Sequence, residues 1–245
     1  MPKATPIPVV NRLIEALPSK DRKRLLGRCE NVDLVFGDVL CEPNQPLRHL
    51  YFPITGFISL VIRVGEHAPL EMGLIGNEGM LGATLVLGVN EVPLRGVVQG
   101  AGTALRVAAP AFRRELRGSP ALQLGLNRYL YVLMAQLAQT SACTRFHEVE
   151  ARLARWLLMT HDRAHADRFH LTHKFLADML GVRRSGITIA AGALQQRRLI
   201  QYTRGEISIL DRIGLEGASC ECYDAVMKDY ARLMVPPKFE PGSVR

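Results

Sequence analysis

The chain has 245 residues, 48% of them hydrophobic, and a formal net charge of +8. That is enough for two small domains with packed cores, and it excludes a disordered or fibrous chain. No apolar run reaches the roughly 20 residues needed to cross a bilayer, and the basic balance favours an anionic partner. The opening MPKATPIPVV has prolines and no apolar stretch with a cleavage site, so no secretion signal is expected. Five cysteines, an odd count, agree with free thiols in a reducing compartment, and the expectation is a cytoplasmic protein with no membrane contact.

In chain order, residues 9–17 and 21–29 predict two short helices broken at Pro18-Ser19, with Ser19 capping the second. From 32 to 107 short β-prone runs take over (32–36, 50–52, 57–64, 70–74, 97–99 and 104–107), parted by turn residues such as Gly37-Asp38 and Gly65-Glu66. Regular short strands of this kind predict an antiparallel sandwich or jelly roll. Glycines at 73, 76, 79, 82 and 88 match neither a P-loop nor a dinucleotide fingerprint and are read as turn glycines. A long helix is expected over 120–145. Within it Leu126, Leu130, Leu133, Leu137, Thr140 and Thr144 alternate spacings of four and three, a seam for a second copy of the helix. Tyr129, Val132 and Met134 widen its apolar face enough to pack on the β-domain too. Residues 147–160 predict another helix with the single Trp, Trp156, as its anchor; 161–170 read as a polar link. The terminal helix is expected over 211–234, followed by a tail at 236–245.

Residues 171–210 carry the most specific pattern. Thr172 can cap a short helix whose apolar positions are Phe175, Leu176, Met179 and Leu180, and Gly181 ends it. A second helix follows, with Ile187, Ala190, Ala191 and Leu194 inward and Arg183, Arg184, Ser185 and Thr188 outward at its start. Ile200-Gln201-Tyr202 and Ile207-Ser208-Ile209 flank a turn at Thr203-Arg204-Gly205 and read as a hairpin. Helix, glycine turn, helix and hairpin make a winged helix-turn-helix, which needs an apolar underside and polar donors at the exposed helix N-terminus. Between 171 and 205 stand six Lys/Arg (174, 183, 184, 197, 198, 204) and one acid, Asp178. That imbalance favours phosphate contact over a helical hairpin in some other core.

The order β-roll, long helix, short helix and winged helix-turn-helix resembles the Crp/Fnr family of bacterial transcription regulators over nearly the whole chain. The stretches VEARLARWLL (149–158) and LTHKFLADMLGVRRSGITIAAGAL (171–194) carry the resemblance. It implies an α+β fold: a cyclic-nucleotide-binding-like sensor roll (1–118), a dimerisation helix (119–146) and a winged helix-turn-helix domain (147–235), with the tail beyond. It also implies a homodimer on a two-fold-related operator in double-stranded DNA, with RNA polymerase admitted as a further partner. Arg184 falls where the family commonly reads a guanine, and Arg183 and Gly186 fall near phosphates. Ser185 stands where many members have a base-reading Glu, and Ile189 where many have a second Arg, so Thr188 becomes a candidate reader. Lys174 and Arg204 complete the expected DNA-binding set, Arg204 as a phosphate contact at the hairpin tip.

The effector pocket expected from the resemblance comprises Gly82, Ala83, Thr84, Arg95, Thr140 and Ser141. It departs from the cyclic-nucleotide members. Gly82-Ala83-Thr84 lacks the ribose carboxylate, Leu94-Arg95-Gly96 displaces the Arg and lacks the Ser, and Thr140-Ser141 lies about one turn beyond the adenine-facing position. Cyclic AMP is therefore not expected, no cofactor is predicted, and the effector stays open between an anion near Arg95 and no ligand. Cys29, Cys41, Cys143, Cys220 and Cys222 are scattered, unlike the clustered cysteines of iron–sulfur members, and Cys220-x-Cys222 reads as two half-buried thiols on the terminal helix. His161/His165 and His170/His173 read as solvated, so no metal ligand is assigned. An enzyme is not expected. The alternatives are a cupin-like metalloenzyme, against which His49 and His67 stand alone, and an interaction adaptor with a vestigial helix-turn-helix.

Overall fold

Two small antiparallel sheets, built from the β-prone runs, face each other in the computed structural model, which describes residues 10–164 and 166–234. The strands are β1 (Glu30–Leu34), β2 (Val39–Cys41), β3 (His49–Pro53), β4 (Phe57–Ile62), β5 (Leu70–Ile75), β6 (Arg95–Gly100) and β7 (Gly102–Ala108). One sheet has the order β1-β7-β3 and the other β2-β6-β4-β5. Leu34, Tyr51, Ile58, Leu60, Ile75, Val98 and Ala104 fill the space between them. β2 went unpredicted, having only three residues and no alternation to show. The N-terminal helices are α1 (Arg12–Glu15) and α2 (Ser19–Leu26); Pro18 holds the cap position of α2 and Ser19 is already helical, which corrects the expected cap by one residue. A further helix, α3 (Ala109–Arg117), was not anticipated.

The long helix is α4 (Pro120–Phe146), started by Ser119, whose hydroxyl accepts from the Leu122 N–H at 3.1 Å. Its expected seam is covered only in part: Leu130, Leu133, Leu137 and Thr140 are half-buried and Thr144 is exposed. Leu126 is fully buried, and Leu130, Leu133 and Leu137 pack against the roll. The outward stripe is a different one: Leu124, Asn127, Tyr131, Met134, Ala138 and Ser141, again alternating by three and four. Leu124, Tyr131 and Met134 are 46%, 48% and 61% exposed there, so apolar surface remains on the side turned from the roll. A 27-residue helix has room for two stripes, and only packing decides which one the roll covers.

The C-terminal unit consists of α5 (Val149–Ala164), β8 (Arg168–His170), α6 (His173–Leu180), α7 (Arg184–Gln196), β9 (Ile200–Thr203), β10 (Glu206–Ile209), α8 (Arg212–Ala218) and α9 (Cys222–Leu233). Two expectations are corrected. The polar link at 161–170 ends α5 and supplies β8, which pairs with β10 to make the hairpin a three-stranded sheet. The single terminal helix is two, because Ser219 is extended and caps α8 before Cys220 and Glu221 turn into α9. The tail and His165 lie outside the described residues.

Strand β4 is buried on both faces, and this is what positions the C-terminal unit. Ile58 and Leu60 belong to the core of the roll, whereas Phe57, with Leu74 of β5, shares a core with Leu153, Trp156, Leu157, Leu176 and Ile187. Polar contacts fix the register of that joint. The Trp156 indole N–H donates to Glu71 Oε1 at 2.7 Å. Arg163 Nε donates to Glu78 Oε1 at 2.7 Å, with both side chains almost wholly buried. Removing one member of such a buried pair costs about 3–5 kcal/mol, because the other charge is left without a partner. Gly76 lies under the pair: a Cβ there would come within 2.5 Å of Arg163 Cγ. Close approach, rather than backbone conformation, is what requires the glycine.

Glu71 itself is fully buried, and burial raises its carboxyl from 4.5 to about 7, against the lowering effect of bonds from Ser59 and Trp156. Ser59 Oγ lies 2.6 Å from Glu71 Oε2 and 2.7 Å from Gln99 Oε1. Ser59 has one proton to give to these two acceptors, so its bond offsets the burial of Glu71 only in part and the carboxyl keeps its proton to a higher pH than a free one. The folded protein thus holds a proton that the unfolded chain releases. The resulting stabilisation is complete below the ordinary carboxylate pKa and is lost as pH rises from 4.5 through about 7, a difference of about 3 kcal/mol. Glu71→Gln keeps the acceptor for Trp156 and the donor for Ser59 without the titration. It should flatten the melting temperature between about pH 5 and about pH 8 and raise it above the unsubstituted protein at the alkaline end. Equal slopes in the two proteins, followed by Trp156 fluorescence, would refute this role for Glu71.

Candidate nucleic-acid interface

Thr172 caps α6 as its sequence implies, its hydroxyl accepting from the Phe175 N–H at 3.1 Å. Gly181 closes α6 at φ 63°, a conformation that favours glycine. Close approach adds a second demand there, since a Cβ would lie 2.8 Å from Leu70 Cδ1 of β5. Val182 N–H returns to the Ala177 carbonyl at 2.9 Å, and α7 then begins at Arg184. Ile187, Ala190, Ala191 and Leu194 are buried against α5 and α6, which leaves Arg183, Arg184, Ser185, Thr188 and Ile189 exposed on one face. The N-terminus of α7 has no side-chain cap, so free backbone N–H groups and the positive end of the helix dipole add to the two arginines.

Each expected DNA-binding residue has a definite setting. Arg183, Arg184 and Arg204 make no ion pair with a described residue. Lys174 is paired with Asp178 at 2.8 Å, though it stays exposed, and Arg197 is paired with Glu150 at 2.9 Å. Gly186 is half-buried against Val149, and its N–H is already given to the Arg183 carbonyl at 2.9 Å. Arg204 stands at the hairpin tip with φ 51°, beside Gly205 at φ 86°, the mirror-image turn that suits a tight hairpin.

Thr188 has partners that sequence reasoning missed. Its hydroxyl donates to the Arg184 carbonyl at 3.1 Å and lies 3.0 Å from His173 Nδ1. The His173 ring stacks on Tyr202 with centroids 4.3 Å apart. Desolvation, with Arg184 nearby, lowers the His173 pKa, so the neutral ring gives its Nδ1 proton to Thr188. One acceptor lone pair of Thr188 is left for a ligand. No sequence signal links positions 173, 188 and 202, since their meeting depends on how α6, α7 and β9 pack.

Only three of the six expected effector residues come together. Gly82, Ala83 and Thr84 line a cavity of about 150 Å³ between the roll and α4, with Leu60, Ile75, Met80, Leu94, Leu130 and Leu133 among its walls. That is small beside the ~300–1,000 Å³ of ordinary ligand sites. Thr84 gives its hydroxyl proton to the Glu91 carbonyl, and Arg95 is exposed and paired with Glu42 at 3.0 Å. Thr140 accepts from Arg155, and Ser141 lies on the outward stripe of α4.

The cysteines, read as scattered, are not. Cys143, Cys220 and Cys222 converge at the end of α4 with His147, their ligand atoms all within 4.8 Å of one another. The sequence distance between 143 and 220 hid this, and the break between α8 and α9 creates it. Cys29 and Cys41 remain apart from the group, their thiols pushed up to about 11 by burial. No other cluster of potential ligands occurs among the described residues: His161 bonds Asp167, and His67 is exposed at the β4–β5 turn.

Comparison with known proteins agrees with this geometry. Residues 151–218 match the family model of the Crp-like helix-turn-helix domain. No curated protein is similar enough in sequence to match. Among solved structures, a protein described as a transcriptional regulator of the Crp/Fnr family, from Eubacterium rectale, superposes with a TM-score of 0.65 at 17% identity, over 84% of this chain and 96% of that one. FixK2 from Bradyrhizobium japonicum gives 0.64 at 12% identity, over 78% and 98% of the chains. A Crp/Fnr family transcriptional regulator from Thermus thermophilus gives 0.64 at 22% identity, again over 78% and 98%. The chain therefore has the fold of the Crp/Fnr transcription regulators and carries a Crp-like helix-turn-helix domain.

Proposed function

We propose that the protein is a homodimeric, sequence-specific transcription regulator that acts by binding rather than by catalysis. In this reading, residues 1–118 serve as a sensor roll, 119–146 as the dimerisation helix and 147–235 as the DNA-reading domain. The observation that carries it is the uncapped start of α7, where Arg183, Arg184, Ser185 and Thr188 stand exposed above a buried apolar underside. Arg184 reads a guanine, Arg183 and Arg204 hold phosphates, and Lys174 adds to the field once it leaves Asp178. Ile189, 74% exposed, suits the methyl group of a thymine in the place where related proteins present an arginine.

Dimerisation is assigned to the outward stripe of α4, centred on Tyr131 and Met134, because that apolar surface is left uncovered by the roll. Two recognition helices so joined enter successive major grooves about 34–36 Å apart. A cyclic nucleotide is not the effector in this reading. The cavity beneath α4 is walled mainly by aliphatic side chains, and Arg95 is engaged elsewhere. RNA polymerase stands as a further partner of the promoter-bound dimer.

Binding to duplexes selected from random sequence tests the roles. Arg184→Ala should cut the preference for the selected duplex over an unrelated one by about 10- to 100-fold. Arg204→Ala should weaken binding to both duplexes alike and reduce the salt slope by about 1. Equal loss on both duplexes for both variants would overturn the assignment. Met134→Lys places a charge in the middle of the α4 stripe, and sedimentation should then find monomers. A dimer that survives the change would move the interface elsewhere.

A further inference from the structure

The joint between α4 and the C-terminal unit holds a set of side chains that DNA binding does not use. Cys143 and His147 are one turn apart at the end of α4, where His147 is the cap residue. Cys220 and Cys222 flank Glu221, the residue that precedes the first turn of α9. The three thiols are 1%, 6% and 0% exposed. Cys143 Sγ lies 3.5 Å from Cys220 Sγ, and Cys222 Sγ lies 3.5 Å from His147 Nδ1. A disulfide brings its sulfurs to about 2.05 Å, whereas ligands about 2.3 Å from one tetrahedral zinc ion are spaced roughly 3.8 Å apart. The spacing found here matches the second arrangement.

Surrounding groups fit a metal better than they fit three packed thiols. Buried cysteines often act as small apolar fillers, but that does not account for an imidazole nitrogen turned toward them. His147 Nε2 lies 3.1 Å from Glu221 Oε1, so Nε2 carries the proton and Nδ1 presents its lone pair to the sulfurs. Carboxylate, histidine and ion in line is the usual outer support of a zinc ligand. Gln139 Nε2 donates to Cys222 Sγ at 3.0 Å, as outer-shell amides do to bound thiolates. Arg155 and Arg152 of α5 act electrostatically on Cys143 and offset the negative charge that three thiolates around one divalent ion would leave.

We propose that Cys143, His147, Cys220 and Cys222 form a tetrahedral site for a thiophilic divalent ion of the zinc class, and that the bound ion clamps the last turn of α4 to α9. Binding releases the thiol protons to solvent and makes three metal–sulfur bonds and one metal–nitrogen bond. The ligands come from both sides of the joint at His147-Glu148, so the ion sets the angle between the dimer helix and the DNA-reading domain. With the four ligand residues together the start of α7 stands exposed, so an ion that holds them together favours DNA binding. This second step rests on the function proposed above.

The test uses the full-length protein, purified under reducing conditions, stripped with a chelator and titrated with Co(II). One cobalt per chain is expected, with thiolate-to-cobalt charge transfer and visible bands of tetrahedral intensity, both abolished when Zn(II) displaces it. Cys143→Ser and Cys222→Ser should lose the charge-transfer band in proportion to the sulfur removed. If either variant unfolds, the stripped native chain supplies the metal-free state. Absence of thiolate bands, an undiminished spectrum in the variants, or a Cys143–Cys220 disulfide in protein kept free of oxygen would overturn the site. Zinc-loaded protein should bind its selected duplex about tenfold or more tightly than stripped protein. Equal affinity with metal bound would overturn the clamp. Loss of all duplex binding in both forms, with the cobalt spectrum intact, would instead overturn the DNA-binding reading and leave the site standing.

Discussion

Two buried carboxylates hold this molecule in one arrangement. Glu71 meets the Trp156 indole and Glu78 meets the Arg163 guanidinium, each across the joint between the roll and α5. Apolar contacts alone would let α5 slide on β4, because dispersion attraction has little directional preference. A buried carboxylate cannot slide away from its donor without leaving both groups unsatisfied. The register of α5 on the roll is therefore set by two hydrogen bonds, and everything that packs on α5 inherits it.

The exposed face of α7 inherits it directly. Ile187 and Leu194 of α7 sit in the same core as Trp156 and Leu157, so the exposed face of α7 has its direction fixed by the helix beneath. The roll also reaches the helix-turn-helix at a second place, where Leu70 presses on Gly181 and Gln99 meets Met179. A change within the four-stranded sheet thus has two mechanical routes to the start of α7. The His173–Tyr202 stack, which steadies Thr188, ties the hairpin to the same face.

Charge is divided along the same lines. Lys174 and Arg197 have acidic partners, while Arg183, Arg184 and Arg204 have none among the described residues and face outward. Surface pairs of this kind contribute about 0–1 kcal/mol to stability. Their effect here is on the field: pairing trims the positive charge at Lys174 and Arg197 and leaves that of Arg183, Arg184 and Arg204 at the start of α7 and the hairpin tip.

How much of this was legible in the sequence depends on how far apart the interacting residues lie. Thr172, Gly181 and the stripe from Ile187 to Leu194 act within one or two helical turns, so cap, turn and recognition helix could be read locally, and six of the seven strands of the roll showed as β-prone runs. Local pattern could not say which stripe of α4 the roll would cover, because both repeat at nearly the helical period and only the sheet opposite discriminates between them. Nor could it show that 161–170 supplies a strand, since β8 is three residues long and exists by pairing with β10. The thiol group at 143, 220 and 222 and the buried Glu71 with its raised pKa lie furthest from sequence reasoning. Sequence by itself determined most of the local elements and which side chains stand exposed at the start of α7, because hydrogen bonding within a helix or turn involves near neighbours. Tertiary structure alone decided which polar groups lost their water and what they met instead, because burial depends on residues brought together from distant parts of the chain.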